Sequence, residues 1–220
     1  MLKSLFLVLF SIPVFCYSQI HMIELEVKTV PEPTTRDSIV DQWNLSQTEY
    51  SRLSSQSKQV LYWVNYCRSN PAKFWDSVVV PVLSAFPSLK TPESTSLRAD
   101  LIKTGSLPMF RLNKTLVKTA QDHAIDIASK KALPGHLSTN GDGFDVRLKK
   151  AGIKYCASEN ISLTNQSILL SVVLLYLDIG LPELGHRKSL LSDNLREIGI
   201  GAALYGEDQY FLVQDLACAQ

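Results

Sequence analysis

The end of the chain places two predicted strands next to each other, with no helix between them. Glu197 to Leu204 and Gln209 to Cys218 each have the length and side-chain composition of a strand. Only Tyr205-Gly206-Glu207-Asp208 joins them, so they are predicted to form an antiparallel hairpin. Parallel neighbours need a crossover connection of about a dozen residues or more. The chain therefore does not fit a doubly wound parallel sheet.

Helices are predicted for the first and middle parts of the chain. Asn70-Pro71 supplies an N-cap and a first-turn proline for a helix that should kink or stop near Pro81. The strongest helical pattern runs from the N-cap Asn113 to about Ala132, and a later helix begins at the N-cap Ser167. An apolar stripe at helical spacing predicts one more helix, which includes Val60, Leu61, Val64 and Cys67.

This order of elements predicts an α+β fold, in which helices pack on a small antiparallel sheet. One further short strand is predicted at Ile153 to Ser158. Before it, residues 135–147 are rich in glycine and polar side chains, which is typical of a loop.

The first eighteen residues have the layout of a secretory signal peptide. Met1-Leu2-Lys3 gives a positive start, and the apolar run from Leu5 to Phe15 is shorter than the roughly 20 residues that span a bilayer. Cleavage is expected between Ser18 and Gln19. Acylation at Cys16, as in a lipoprotein, is a minor alternative, because Phe15 is too bulky for the usual small residue before such a cysteine. The protein is expected to be secreted, or to lie in the periplasm or cell envelope.

After cleavage, residues 19–45 are predicted to form an exposed leader, and residues 46–220 to form one domain. Cleavage removes only one charged residue, Lys3, and leaves 21 basic and 21 acidic residues. This balance, without a basic patch, predicts no nucleic-acid partner. No second apolar stretch predicts a membrane span.

Three cysteines remain after cleavage, so at most one disulfide can form within the chain. None belongs to a CxxC pair, which argues against a zinc ribbon or a thioredoxin-type site. If a disulfide forms, Cys156 and Cys218 are the expected partners, because both lie in segments predicted as strands. The alternative is that the cysteines, Cys67 included, are buried as small apolar side chains.

Several short polar segments follow one another in a particular order along the chain. They are Gly135-His136-Leu137-Ser138, Ser158-Glu159-Asn160-Ile161, the helix end at Asp178, Gly185-His186-Arg187, Ile198-Gly199-Ile200-Gly201 and Val213-Gln214-Asp215-Leu216. In this order they make the chain, from about Val60 to Cys218, resemble the CAP superfamily, also called the SCP or PR-1-like domain, in its bacterial form.

The resemblance implies an α-β-α sandwich with a central cleft that carries two histidines and two acidic residues. It implies that His136 and His186 are the histidines and that Glu159 is the first acid. Asp178 is the nearest match to the second acid. Better-known members have a glutamate there and a tryptophan upstream, which this chain lacks.

Two chemistries are open for these residues. His136, His186 and Glu159 together are a ligand set typical of an open zinc site, with water completing the shell. Alternatively, each histidine pairs with a carboxylate, which fixes its tautomer and gives a general base or a pH-sensitive cluster. Ser138 is the only obvious hydroxyl next to a site residue, and nothing in the sequence indicates that it is activated. His123, in the middle of a helix, is expected to be a packed residue with satisfied ring nitrogens.

The function predicted first is a secreted binding module. Its cleft would hold a divalent metal, with zinc the first candidate, or an extracellular small molecule, lipid or peptide. No residue is assigned a catalytic role, because members of the resembled superfamily share no single reaction. One alternative is a zinc-assisted extracellular hydrolase with Glu159 as base. The other is an envelope or interaction protein with a vestigial cleft.

Overall fold

The computed structural model describes residues 25–154, 156–164 and 167–219. The predicted signal peptide and its cleavage site at Ser18-Gln19 lie outside these ranges. Within them, no helix is long and apolar enough to cross a membrane.

The order of elements confirms the α+β prediction, with helices first and in the middle and strands mostly late. A π-helical turn at Trp75–Val79 separates α3 from α4. The helix therefore does not stop at Pro81, because the backbone remains in the right-handed helical region through this turn and Pro81 lies at the start of α4. The α-helices are α1 (Ser38–Leu45), α2 (Ser55–Ser69), α3 (Pro71–Phe74), α4 (Val80–Ala85), α5 (Pro92–Thr104), α6 (Lys114–Ser129), α7 (Phe144–Lys150), α8 (Ile168–Leu177) and α9 (Gly185–Leu190).

The sheet has four strands in the order β1-β3-β4-β2. The predicted hairpin is confirmed, since β3 and β4 pair antiparallel, and β2 pairs antiparallel with the other side of β4. β1 pairs parallel with β3, so the sheet is mixed and not purely antiparallel. The strands are β1 (Arg111–Leu112), β2 (Ala157–Thr164), β3 (Glu197–Tyr205) and β4 (Gln209–Ala217).

Helices cover both faces of the sheet, which confirms the α-β-α sandwich. α6 packs closely on β3 and β4, and α2 and α8 pack on the other face. Two glycines of β3 permit the close approach of α6. A Cβ at Gly199 would lie 1.9 Å from the backbone carbon of Leu116, and one at Gly201 would lie 2.2 Å from the carbonyl oxygen of Ala120. The alternating glycines therefore allow the α6 backbone to lie directly on the strand.

The prediction of an exposed leader through residue 45 is wrong at its C-terminal end. Residues 38–45 form α1, which Asp37 caps by accepting hydrogen bonds from two backbone N–H groups of its first turn. Val40 is fully buried, and the Trp43 indole donates to the carbonyl of Phe110 at 3.0 Å. Asn44 accepts a hydrogen bond from the Asn65 amide. α1 is therefore part of the folded domain, joined to it by the buried side chain of Val40 and by these polar contacts.

The short strand predicted at Ile153 to Ser158 is wrong in position, because β2 covers Ala157–Thr164. Gly152, with a φ of +85°, turns the chain just after α7, so the next residues connect the helix to the strand. Glu159 and Asn160 consequently lie inside β2, where the sequence interpretation placed them after a strand.

The disulfide prediction is confirmed. Cys156 and Cys218 are bonded, with their Cα atoms 5.6 Å apart. Cys67 is a free thiol in the core, and burial raises its pKa to about 12. A thiol with so high a pKa is unreactive at neutral pH, so Cys67 acts as a small apolar side chain.

Candidate functional site

His136 lies in the loop between α6 and α7, as predicted, and it is paired with Glu159 of β2. Its Nδ1 is 2.8 Å from Oε1 of Glu159. The Glu159 side chain is 1% exposed, whereas the imidazole is 41% exposed. An ionised carboxylate only accepts hydrogen bonds, so the Nδ1–H of His136 donates. The buried carboxylate of Glu159 thus fixes the orientation of the partly exposed His136 ring.

Arg147 of α7 is the second partner of Glu159. Its Nη2 donates to Oε2 of Glu159, and its Nη1 donates to the carbonyl of His136 at 2.7 Å. Burial acts to raise the pKa of Glu159. The hydrogen bond from His136, together with the charge and hydrogen bond of Arg147, outweighs burial and holds that pKa below its usual value. The sequence interpretation missed Arg147, because it lies in a run of cations typical of an exposed helix.

His186 is paired with Asp178 in the same manner. Its Nδ1 lies 2.5 Å from Oδ1 of Asp178, and the other carboxylate oxygen accepts from the backbone N–H of Arg187 at 2.9 Å. The Asp178 side chain is fully buried, and it ends α8 in the left-handed conformation, with a φ of +53°. The sequence placed His186 in a loop, but it lies in α9. Asp178 binds the first turn of this short helix through a backbone N–H, a contact that only the fold brings about.

Arg187 fixes α9 against its neighbours, and its guanidinium is almost entirely buried. It donates to the carbonyls of Tyr176 and Leu177 at the end of α8, and to Asp100 of α5. Because Arg187 follows His186 directly, these bonds hold the backbone that carries the imidazole.

β2 connects the two histidine–acid pairs. Glu159 and Asn160 are consecutive residues of a strand, so their side chains point to opposite faces. Glu159 binds His136 on one face. On the other, the Asn160 side-chain oxygen accepts from the hydroxyl of Ser189 at 2.9 Å, and Ser189 lies in α9 with His186. The structure therefore places one histidine–acid pair on each side of the same stretch of β2.

Asp215 lies beside Glu159, as its direct cross-strand partner on β4. It is fully buried, and one oxygen accepts from the Thr119 hydroxyl at 2.6 Å. Burial and the nearby negative charge of Glu159 raise the pKa of Asp215 well above its usual value. Asp215 therefore favours the protonated form, which limits the negative charge that the site must hold.

His123 is buried and hydrogen-bonded, as predicted. Its Nε2 is 2.9 Å from the carbonyl of Gly135, and its Nδ1 is 3.3 Å from the hydroxyl of Ser138. A carbonyl only accepts, so Nε2 carries the proton and Nδ1 accepts from Ser138. Burial, followed by the charge of Arg147, lowers the pKa of His123 and keeps the ring neutral. These bonds hold the start of the loop that carries His136.

The predicted three-ligand metal set is not assembled in this arrangement. In the ranges that the structure describes, no three His, Cys, Asp or Glu side chains are grouped so that they could hold a metal ion. Both oxygens of Glu159 are already bound, to His136 and Arg147. The Nε2 atoms of His136 and His186 remain as nitrogens that could bind a metal. The other ring nitrogen of each histidine binds a carboxylate, as in many metal sites. Zinc binding stays a prediction.

Comparison with known proteins identifies the class to which this fold and site belong. Residues 57–216 match the model of the cysteine-rich secretory protein family, CAP. The match covers well over half of the chain, so the protein belongs to this family.

Similar solved structures come from bacteria and from an animal. An extracellular protein with an SCP domain from Bacillus anthracis is 23% identical over 51% of this chain and 35% of its own, with a TM-score of 0.41. An outer surface protein from Borrelia burgdorferi is 18% identical over 58% and 90%, with a TM-score of 0.44. Venom allergen-like protein 4 from Schistosoma mansoni is 14% identical over 76% and 91%, with a TM-score of 0.43. The chain thus spans about a third of the Bacillus protein. No curated protein matches.

Proposed function

We propose that this CAP protein is a binding module that acts outside the cytoplasm, and that the two histidine–acid pairs hold its extracellular ligand. The observation that carries the proposal is shared by both pairs. Each histidine donates a hydrogen bond from Nδ1 to a buried carboxylate, which fixes the orientation of the ring and leaves Nε2 for another partner. Within the described ranges, the hydrogen bonds of both rings are made through Nδ1.

A purely structural role fits these pairs less well. A histidine that only stabilises the fold is expected to be packed and bonded at both nitrogens, as His123 is. His136 is instead 41% exposed and His186 22% exposed, while their carboxylate partners are buried. Burying an anion to orient an exposed ring is typical of a site that binds a ligand.

Hydrolysis with Glu159 as base lacks a comparable observation. A base must have a free oxygen within hydrogen-bond reach of the proton that it removes. Both oxygens of Glu159 bind its neighbours, and Arg147 stabilises its charged form. The pairs are better suited to holding a ligand through Nε2, which accepts a hydrogen bond when the ring is neutral and donates one when it is protonated.

NMR spectroscopy of the imidazole ring protons tests the proposal. The full chain is titrated separately with zinc chloride, with hexadecanoic acid and with a mixed pool of octapeptides, which represent the metal, lipid and peptide classes. We expect at least one of them to shift the signals of both His136 and His186 in a saturable manner, while His123 serves as the internal control. If no probe moves the two signals together, or if His123 moves equally, the proposal is wrong.

A further inference from the structure

β2 lies at the edge of the sheet, and its outer side has no backbone partner in the described part of the chain. The strand order places β4 on one side of β2 and no strand on the other. No backbone hydrogen bond from the described helices and loops reaches that outer side either. An edge of this kind presents a row of N–H donors and C=O acceptors.

The register shows which backbone groups point outward. The N–H of Cys218 donates to the carbonyl of Cys156 at 3.0 Å, and the two residues are opposite each other in the extension of the β2–β4 pairing. Opposite residues of an antiparallel pair alternate between bonded and non-bonded pairs. Even-numbered residues of β2 therefore bond to β4. The backbone N–H and C=O groups that point away from β4 belong to Ala157, Glu159, Ile161 and Leu163.

The outer side of β2 is least exposed at Glu159 and most exposed toward the end of the strand. The Glu159 side chain is 1% exposed, whereas the whole residue is 7% exposed, so the surface that remains belongs to its main chain. Leu163, farther along the same edge, is 37% exposed. β2 contains no lysine, arginine or proline, and its single charged residue, Glu159, points inward and is paired with His136 and Arg147.

The groups around this edge are those of the proposed binding site. Glu159 binds His136 on one face of the strand, and the neighbouring residue binds α9, the helix of His186, on the other. At the start of the strand, Ala157 packs against a small apolar cluster that includes Leu148 of α7. The last turn of that helix carries Lys149 and Lys150, both exposed, and Lys150 is ion-paired with Asp142 at 2.6 Å. An occupant of the edge would therefore lie next to the His136–Glu159 pair and, at the start of the strand, near the end of α7 with Lys149.

We propose that the ligand of the site is an extended peptide segment, which adds to β2 as a further strand and places an acidic group beside the lysines of α7. This inference rests on the proposed function and names the ligand class. An extended main chain carries donors and acceptors at the spacing that the outer edge of β2 presents. The backbone bonds would supply affinity with little dependence on sequence. Side chains that meet His136 and the lysines would supply selectivity.

Amide hydrogen exchange of the full chain, labelled with nitrogen-15, tests the inference directly. The probe is a pool of octapeptides with valine at alternate positions, random polar residues between them and aspartate at both ends; its tightest binder is resynthesised. On saturation, the N–H groups of Glu159, Ile161 and Leu163 should exchange at least tenfold more slowly. Those of Asn160 and Ser162 already bond to β4, so they should change little.

Two substitutions at one position isolate the backbone contribution. Leu163→Pro removes an outward N–H but no bond to β4, and proline is tolerated at such edge positions. Leu163→Ala removes the same side chain and keeps the N–H. We expect Leu163→Pro to weaken binding of the resynthesised peptide about tenfold relative to Leu163→Ala. Circular dichroism of both variants confirms that the sheet has formed.

Each other outcome overturns the inference. If zinc or hexadecanoic acid binds and shifts both histidine signals while the edge amides stay unprotected, the proposed function stands and the peptide inference fails. Absence of binding by every peptide in the pool also rejects it. Protection that grows with protein concentration and without peptide, together with a dimer in analytical ultracentrifugation, would assign the edge to a second copy of the chain.

Discussion

Replacement of Glu159 by glutamine should strongly destabilise the protein. The side chain is 1% exposed, and it is the charged partner of Arg147, whose side chain is 11% exposed. Glutamine keeps the shape but removes the charge, so a buried guanidinium loses its counter-ion and the amide brings a donor against other donors. Breaking a buried pair from one side costs about 3–5 kcal/mol. For a domain of this size that lowers Tm by roughly 6–20 °C.

The effect should also depend on pH. The pKa of Glu159 is lowered in the folded state, so its contribution is present above the unfolded pKa of about 4.3 and is lost as the pH falls through the folded value. Urea unfolding at pH 7 and in acid should show the gap between wild type and Glu159→Gln closing in acid. Asp122→Asn is the control, since its partner Lys118 is exposed and such a pair contributes less than about 1 kcal/mol. A loss at pH 7 no larger than the control's, or one independent of pH, would refute the reasoning.

Three further experiments test the scaffold around the site. Gly199→Ala places a Cβ against the α6 backbone and should lower the free energy of unfolding by at least about 2–3 kcal/mol, measured by thermal unfolding. Gly185→Ala is the control, because no atom lies within 4 Å of its new Cβ, and it should change stability by less than about 1 kcal/mol. Equal effects of the two substitutions would contradict the close packing of α6 on β3. The pKa of Asp215 is raised in the folded state, so wild type loses stability as the pH rises above the unfolded value of about 3.9. Asp215→Asn should lose less between pH 4 and pH 7 in urea unfolding, and identical pH profiles would contradict this. Replacing Cys156 and Cys218 by serine removes a disulfide that spans a sequence separation of 62 residues, and it should lower the free energy of unfolding by about 2–4 kcal/mol relative to wild type under oxidising conditions. An unchanged urea midpoint would show that the disulfide does not stabilise the fold.

Features fixed by local chemistry were predictable from the sequence. The β3–β4 hairpin follows from two apolar runs with a four-residue connection, and Asn113 caps α6 as expected, accepting from the N–H groups of Thr115 and Leu116. The order of the polar segments carries the resemblance to the CAP superfamily, and it is this resemblance that implied His136, Glu159, Asp178 and His186 as site residues. The structure confirms that these four residues form two hydrogen-bonded pairs.

Features that depend on distant contacts were missed. β2 is placed by its pairing with β4, whose paired residues lie between 46 (Thr164 to Tyr210) and 60 (Ala157 to Ala217) positions later, so the local sequence did not show where the strand lies. Arg147 has the sequence context of a surface cation, and only the fold brings it to Glu159. The contacts of Glu159 could not be read from the sequence for the same reason. Glu159 was expected to share a metal with both histidines, but the carboxylate is engaged by His136 and Arg147.

The tautomers of the three described histidines test the central claim most directly. Two-bond correlation of ring protons with ring nitrogens in NMR assigns the protonated nitrogen of each neutral imidazole at alkaline pH. We predict the proton on Nδ1 in His136 and His186, because a carboxylate accepts from that atom in both. His123 should show the opposite tautomer, with the proton on Nε2 and directed to the carbonyl of Gly135. A proton on Nε2 of His136 or His186 would contradict the account, since the nitrogen assigned to the ligand would then be a donor and the carboxylate would not fix the ring.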